Sequence, residues 1–148
     1  FFRGDVPVHE MAQIFPNKFM KLGFKLTAKK FMPYYPFEEA YFLEQALHVR
    51  KAVDMPLILL GGINNIGTIQ HALEAGFEFV AMGRALLREP DLIKKWENGV
   101  LAEGQCIHCN KCMPSIYEGT HCFLVPDDKR PGHSKWPPPI TKKVGIRD

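Results

Sequence analysis

The chain has 148 residues, of which 46% are hydrophobic and 24% are charged, and its formal net charge is +3. These proportions are usual for a soluble globular protein, and the small charge does not favour a nucleic-acid partner. No apolar stretch is long enough to span a bilayer. All four cysteines lie between Cys106 and Cys122. Their clustering, in a chain that opens without an export signal, predicts a reducing compartment, and we expect a cytoplasmic location.

Residues 1–36 are interpreted as a loop and helical insertion that precedes the more regular part of the chain. A short helix is predicted after Asp5, with Pro7 near its start. Lysines and apolar residues are interleaved from Asn17 to Phe31, which predicts a basic amphipathic helix that is interrupted near Gly23. We interpret it as a helix that covers a barrel and keeps its lysines in water, and a membrane-surface role is the alternative.

Residues 37–100 show an alternation of helix and strand patterns. Apolar residues recur at helical spacing from Phe42 to Val53, with Glu38 and Glu39 in the predicted first turn. The apolar run 57–60 then predicts a strand that is buried on both faces. A helix over 66–75, a strand over 77–82 and a helix over 91–98 follow. This order predicts a parallel βαβ unit preceded by one more helix.

Two glycine-bearing loops follow the two predicted strands. The first is Gly61-Gly62, and the second is Gly83 followed by Arg84. The carboxyl ends of parallel strands form the edge where ligands bind in α/β folds, and glycine lets the backbone approach an anion closely. Residues 84–87 are predicted to start a short helix, and the Arg84 guanidinium suits phosphate oxygens. The pattern therefore predicts a phosphate site without specifying which phosphate.

The segments PLILLGGIN and ALEAGFEFVAMGRALLREPDL, followed by CxxCNxC, resemble the last two barrel strands of the Old Yellow Enzyme family of NADH:flavin oxidoreductases. The resemblance covers roughly residues 37–122. It implies an α/β fold, the C-terminal portion of a (β/α)₈ TIM barrel, in which residues 37–100 form the final βα units. It also implies that Gly61, Gly62, Gly83 and Arg84 hold the phosphate of FMN. The implied enzyme passes hydride from NAD(P)H through FMN to a small electron-poor alkene.

The cysteines form a separate candidate site in a Cys-rich segment, residues 101–125, which precedes a proline-rich tail at 126–148. Cys106, Cys109 and Cys112 have CxxCxxC spacing, and Cys122 follows after nine residues. Thiolates at this spacing can reach one soft metal centre. The branch of the family that resembles 2,4-dienoyl-CoA reductase and trimethylamine dehydrogenase implies a [4Fe-4S] cluster here, although its gap before the fourth cysteine is longer. A Cys₄ zinc site, with His108 or His121 as substitute ligands, and four unligated thiols are the alternatives.

No catalytic residue is assigned, because the family's catalytic groups come mostly from earlier strands that this sequence lacks. Two or three βα units cannot close a barrel, so we expect the 148 residues alone to bind FMN weakly or not at all and to be inactive. Two rival functions stay open: a flavin-free phosphate-binding barrel enzyme, and a metal-binding interaction module built on the cysteines. Assembly into a homo-oligomer is also left open.

Overall fold

The computed structural model describes residues 3–100, 102–117 and 119–130. In this part of the chain the elements are α1 (Val8–Ala12), α2 (Lys18–Phe31), α3 (Leu43–Arg50), β1 (Ile58–Leu60), α4 (Ile66–Glu74), β2 (Phe79–Ala81), α5 (Arg84–Arg88) and α6 (Leu92–Glu97). Two 3₁₀ helices, Met113–Tyr117 and Asp127–Lys129, follow α6. None of the described helices is long and apolar enough to cross a membrane. The predicted Pro137-Pro138-Pro139 tail lies outside the described residues.

The two strands form a parallel pair joined through α4, as predicted. Ile58 pairs with Phe79 and Leu60 with Ala81. The crossover helix α4 is capped at its N-terminus by Asn65, whose side chain accepts a hydrogen bond of 2.8 Å from the amide of Gly67. It ends before Gly76, which has a φ of +93° that favours glycine. The predicted βαβ unit is therefore confirmed, with both strands shorter than expected.

Two clusters of buried side chains form the core of the described chain. The first joins Leu59 of β1 to Ala72 of α4, and its members are Ala40, Leu59, Ile63, Ala72 and Phe77. The second joins α5 to α6 through Ala85, Leu92 and Trp96. Ile69 and Met82 pack against both clusters, so the sheet and the two short helices share one continuous apolar interior.

The prediction that the strands are buried on both faces is wrong for the described chain. Leu59 is 1% exposed, whereas its neighbours Ile58 and Leu60 are 59% and 55% exposed. Phe79 of β2 is also 59% exposed. Successive side chains of a strand point to opposite faces, and α4 covers only one of them. The side chains on the other face, such as Ile58, Leu60 and Phe79, are apolar and would suit a covered position, but no described element covers them.

The helix predicted from about residue 37 begins six residues later, at Leu43. Ala40 has a left-handed φ of +45°, which is incompatible with an α-helix at that point. Its amide instead donates to the carbonyl of Gly62 at 3.2 Å. Glu38 and Glu39 consequently lie in a loop, and the prediction that they form a first helical turn is wrong. Tertiary contact with the first glycine loop decides the start of the helix.

The N-terminal helices differ from the prediction in two details. Helix α2 passes through Gly23 without a break, because one glycine costs only about 1 kcal/mol in a helix of otherwise adequate formers. Its apolar side chains are not covered as expected: Phe19, Leu26 and Phe31 are 83%, 75% and 74% exposed. The contacts of α2 within the described chain are made mainly with α1, the predicted short helix, which begins at Val8 directly after Pro7.

Candidate functional site

The two glycine loops leave the sheet at the same edge. In the parallel register Leu60 lies opposite Ala81, so two more residues bring Gly62 level with Gly83. Gly61 and Gly62 have φ values of +110° and +75°, a conformation that only glycine adopts without strain. The structure therefore places the predicted Gly61, Gly62, Gly83 and Arg84 on neighbouring loops at one end of the sheet.

The first loop is closely packed by the segment that precedes α3. A Cβ atom on Gly61 would lie 2.6 Å from the ring of Phe42. A Cβ on Gly62 would lie 2.7 Å from both the carbonyl oxygen of Glu38 and the ring of Tyr41. These two glycines are thus required by the fold itself, whether or not a ligand is bound.

The second loop is open. A Cβ atom on Gly83 would meet no heavy atom of the described chain within 4 Å. Gly83 has a negative φ of −111° and directly precedes α5, which begins at Arg84 as predicted. Neither the backbone conformation nor packing within the described chain therefore requires a glycine here.

Arg84 points toward the cysteine segment and contacts the N-terminal segment. Its Nη1 donates to the carbonyl of Arg3 at 3.0 Å and to Oδ1 of Asn110. A guanidinium carries five N–H donors, and both contacts use Nη1. Arg84 is therefore held in place by the protein while other donors of its planar group are left for an anion.

Asn110 connects three parts of the chain that are distant in sequence. It is 3% exposed, and its Nδ2 donates to the carbonyls of Asp5 at 2.8 Å and Arg3 at 3.2 Å. Its Oδ1 accepts from Arg84. Asn110 thus fixes the N-terminal segment and the cysteine loop to the residue that follows the second strand. Asn110 is the Asn of the CxxCNxC motif, but its sequence position alone does not reveal these long-range contacts.

Two further buried polar residues, Asn64 and Glu89, hold the loop 102–106 against the βαβ unit and the short helices that follow it. Asn64, 1% exposed, donates through Nδ2 to the carbonyl of Gly104 at 2.8 Å. Glu89, 4% exposed, forms a salt bridge of 2.9 Å with Lys95 and accepts from the amide of Gln105. Asn64 lies in the loop after the first predicted strand and Glu89 lies just beyond the short helix predicted at 84–87, and these positions are the available sequence signal for an anchoring role.

The structure brings the four cysteines to one small cavity of about 20 Å³, which has room for about one water molecule. All four are free thiols and partly buried. His108 and Asn110, which alternate with the cysteines, have left-handed φ values of +57° and +55°. These two residues turn the chain so that Cys106, Cys109 and Cys112 border the same space.

Burial raises the pKa of the Cys106 and Cys112 thiols, with Arg84 acting in the opposite direction. Burial, together with the positive charge of Arg84, lowers the pKa of His108 to about 4. The His108 ring stacks on Phe37 with the ring centroids 3.3 Å apart. His108 is therefore neutral near pH 7, and Arg84 is the charged group that these residues share.

In the described part of the chain, no three His, Cys, Asp or Glu side chains are arranged as a metal site. The assignment of Cys106, Cys109, Cys112 and Cys122 as metal ligands stays a prediction, and so does the choice between a cluster and zinc. His121, the other predicted substitute ligand, donates from Nδ1 to the carbonyl of Gly119 at 2.7 Å and lies against Phe123.

Comparison with known proteins finds a similar protein family and similar individual proteins. The family described as "Histidine biosynthesis protein", a TIM-barrel family, matches residues 38–109, which indicates a TIM-barrel-type α/β fold. The chain is also 56% identical, over 124 residues, to a protein named 4,4′-dithiodibutanoate disulfide reductase from Rhodococcus erythropolis. The match covers 84% of this chain but 30% of that protein. No solved structure matches. The chain is therefore similar to under a third of a larger reductase, in a region with the pattern of a TIM barrel.

Proposed function

We propose that this chain forms the C-terminal part of a flavin-dependent TIM-barrel oxidoreductase and holds the phosphate of FMN. The observation that carries the proposal is the open space at Gly83, on the same sheet edge as the Gly61-Gly62 loop and next to Arg84. A phosphate site formed by the loops after the last two strands is a recurring feature of (β/α)₈ barrels. The similarity to a reductase supports the oxidoreductase class.

The residues of this chain would act by binding and orienting the cofactor. The backbone at Gly83 can approach an anion because no side chain occupies that space. Arg84 supplies a positive charge that is already fixed by Asn110 and the carbonyl of Arg3, so little of its side-chain entropy is lost on binding. When bound, FMN supplies hydride transfer between a reduced nicotinamide and an electron-poor acceptor.

The acceptor class has two candidates. The resemblance to Old Yellow Enzymes favours an electron-poor alkene such as an enone. The name of the similar Rhodococcus protein favours an organic disulfide. A flavin-free phosphate-binding barrel is the second candidate function, and the match to the histidine biosynthesis family is compatible with it.

The proposal is tested by purifying the complete natural protein and identifying what it releases on heating. We expect a yellow protein that releases FMN in a ratio near one per chain. Gly83→Val should fold normally, since the space beside Gly83 is empty, but should lose most of its FMN. Gly23→Ala is a matched control, because Gly23 also has nothing within 4 Å and lies in α2. A colourless wild-type protein, or full FMN content in Gly83→Val, would contradict the proposal.

A further inference from the structure

Helix α2 has apolar residues on two sides, and only one side is packed. The inner side carries Ala28, which is 1% exposed, and the helix packs mainly against α1. Phe19, Leu22 and Leu26 have i, i+3, i+7 spacing, so they share one face, on the side of the helix opposite Ala28. All three are more than half exposed, and no described element covers them. We call these three residues the outer ridge.

The outer ridge is bordered by positive charge. Helix α2 contains five lysines and no acidic residue. By the 3.6-residue period, Lys18 and Lys29 border one side of the outer ridge and Lys30 borders the other. All three are exposed, and the ion pairs within the described part of the chain include no lysine of α2. The helix therefore supplies no carboxylate to neutralise this border.

The combination of an apolar ridge and unpaired lysines restricts what can cover it. A protein surface that buried the ridge would also have to pair or desolvate the neighbouring ammonium groups, and an unpaired buried charge is costly. An anionic bilayer meets both needs, because its phosphate groups lie directly above its acyl chains. Phe31, Tyr34 and Tyr35, at and beyond the end of α2, are also exposed. Tyrosine is a residue type that favours the boundary between water and lipid.

We propose that the outer ridge and its lysines attach the protein to the surface of an anionic phospholipid bilayer. Helix α2 lies in the plane of the membrane, with the outer ridge between the headgroups and the upper part of the acyl chains. The lysine stems extend along the apolar surface and place their ammonium groups beside the lipid phosphates. No residue of the two glycine loops takes part, so this attachment is independent of the proposed flavin site.

The proposal is tested by sedimenting the complete natural protein with vesicles. Vesicles of equal parts phosphatidylglycerol and phosphatidylcholine should bind the protein at least about tenfold more tightly than phosphatidylcholine alone, since each lysine near the surface adds attraction. About 0.5 M NaCl should remove most of this difference by screening. Phe19→Ser/Leu26→Ser should weaken binding to the anionic vesicles by at least about tenfold, because the ridge can no longer bury apolar surface. Lys29→Glu/Lys30→Glu should weaken it by a similar factor.

Two double variants elsewhere on the surface are the matched controls. Val49→Ser/Val100→Ser removes two exposed apolar side chains, and Lys51→Glu/Lys94→Glu makes the same change in net charge as the α2 lysine variant. Both should bind the anionic vesicles like wild type, and all four variants should keep the wild-type circular dichroism spectrum. Equal binding by Phe19→Ser/Leu26→Ser and wild type would overturn the proposal, as would a wild-type protein that ignores anionic vesicles. A dimer that Phe19→Ser/Leu26→Ser converts to a monomer would also overturn it, because a second copy would then cover the ridge.

Discussion

Replacing Asn110 with alanine should destabilise the protein strongly, because one side chain connects three segments. The substitution removes hydrogen bonds from Nδ2 to the carbonyls of Asp5 and Arg3 and the charged contact from Arg84. A neutral buried hydrogen bond contributes about 1 kcal/mol and a charged one about 2 kcal/mol, and alanine tolerates the left-handed backbone less well than asparagine by about 1 kcal/mol. We therefore expect a loss of about 3 to 5 kcal/mol in the free energy of unfolding, measured by urea denaturation followed by circular dichroism.

A second variant separates the backbone contribution from that of the side chain. Asn110→Gly removes the same hydrogen bonds but accepts the φ of +55° freely, so it should be about 1 kcal/mol more stable than Asn110→Ala. Thr120→Ala, an exposed position in the same Cys-rich segment, should change stability by less than about 0.5 kcal/mol. A loss below about 1 kcal/mol in Asn110→Ala would refute the reasoning that Asn110 ties the segments together.

Three further results are expected from the same unfolding assay. The free energy of unfolding of wild type should fall as the pH is lowered from about 6.5 to about 4, because His108 binds a proton more readily in the unfolded chain. In His108→Asn this fall should be smaller by about 1 to 2 kcal/mol, after allowance for solvent screening. Equal falls in the two proteins would contradict the lowered pKa of His108. Gly62→Ala should lower the free energy of unfolding by more than about 2 kcal/mol and Gly83→Ala by less than about 1 kcal/mol, because an added Cβ clashes only at Gly62. The opposite order would contradict the close packing of the first loop and the open position of Gly83. In the 148-residue chain, Leu59→Ala should lower the free energy of unfolding by about 2 to 5 kcal/mol and Ile58→Ala by less than about 1 kcal/mol, because only Leu59 is buried. In a complete barrel both substitutions should lower it by about 2 to 5 kcal/mol. A small effect of Ile58→Ala in the complete protein would mean that no further element covers this face of β1.

The parts of the fold that depend on local sequence could be predicted. The apolar run before Gly61-Gly62, the periodicity of α4 and the glycine at its end together specified a parallel βαβ unit, and the structure confirms it. The short helix that begins at Arg84 was predicted for the same reason. These features are local because each is set by spacing and by residues that start or stop an element.

The parts that depend on distant contacts could not be predicted. The start of α3 is set by the hydrogen bond from Ala40 to Gly62, and Arg84 is positioned by Arg3 and Asn110. Periodicity carries no information about pairs separated by many residues, so it did not predict the connection between the second glycine loop and the cysteine segment. The exposed face of β1 was also missed, because an apolar strand sequence does not reveal which neighbours are present to cover it.

The central claim is that Gly83 and Arg84 hold the phosphate of FMN, and a comparison of FMN with riboflavin tests it most directly. Riboflavin has the same ring but no phosphate, so the complete natural protein should bind FMN about a hundredfold or more tightly than riboflavin in a fluorescence titration, as expected for a charged ligand group held by a fixed guanidinium. Gly83→Val should remove most of that difference and leave riboflavin affinity nearly unchanged. Equal affinities of the wild-type protein for FMN and riboflavin would contradict the claim.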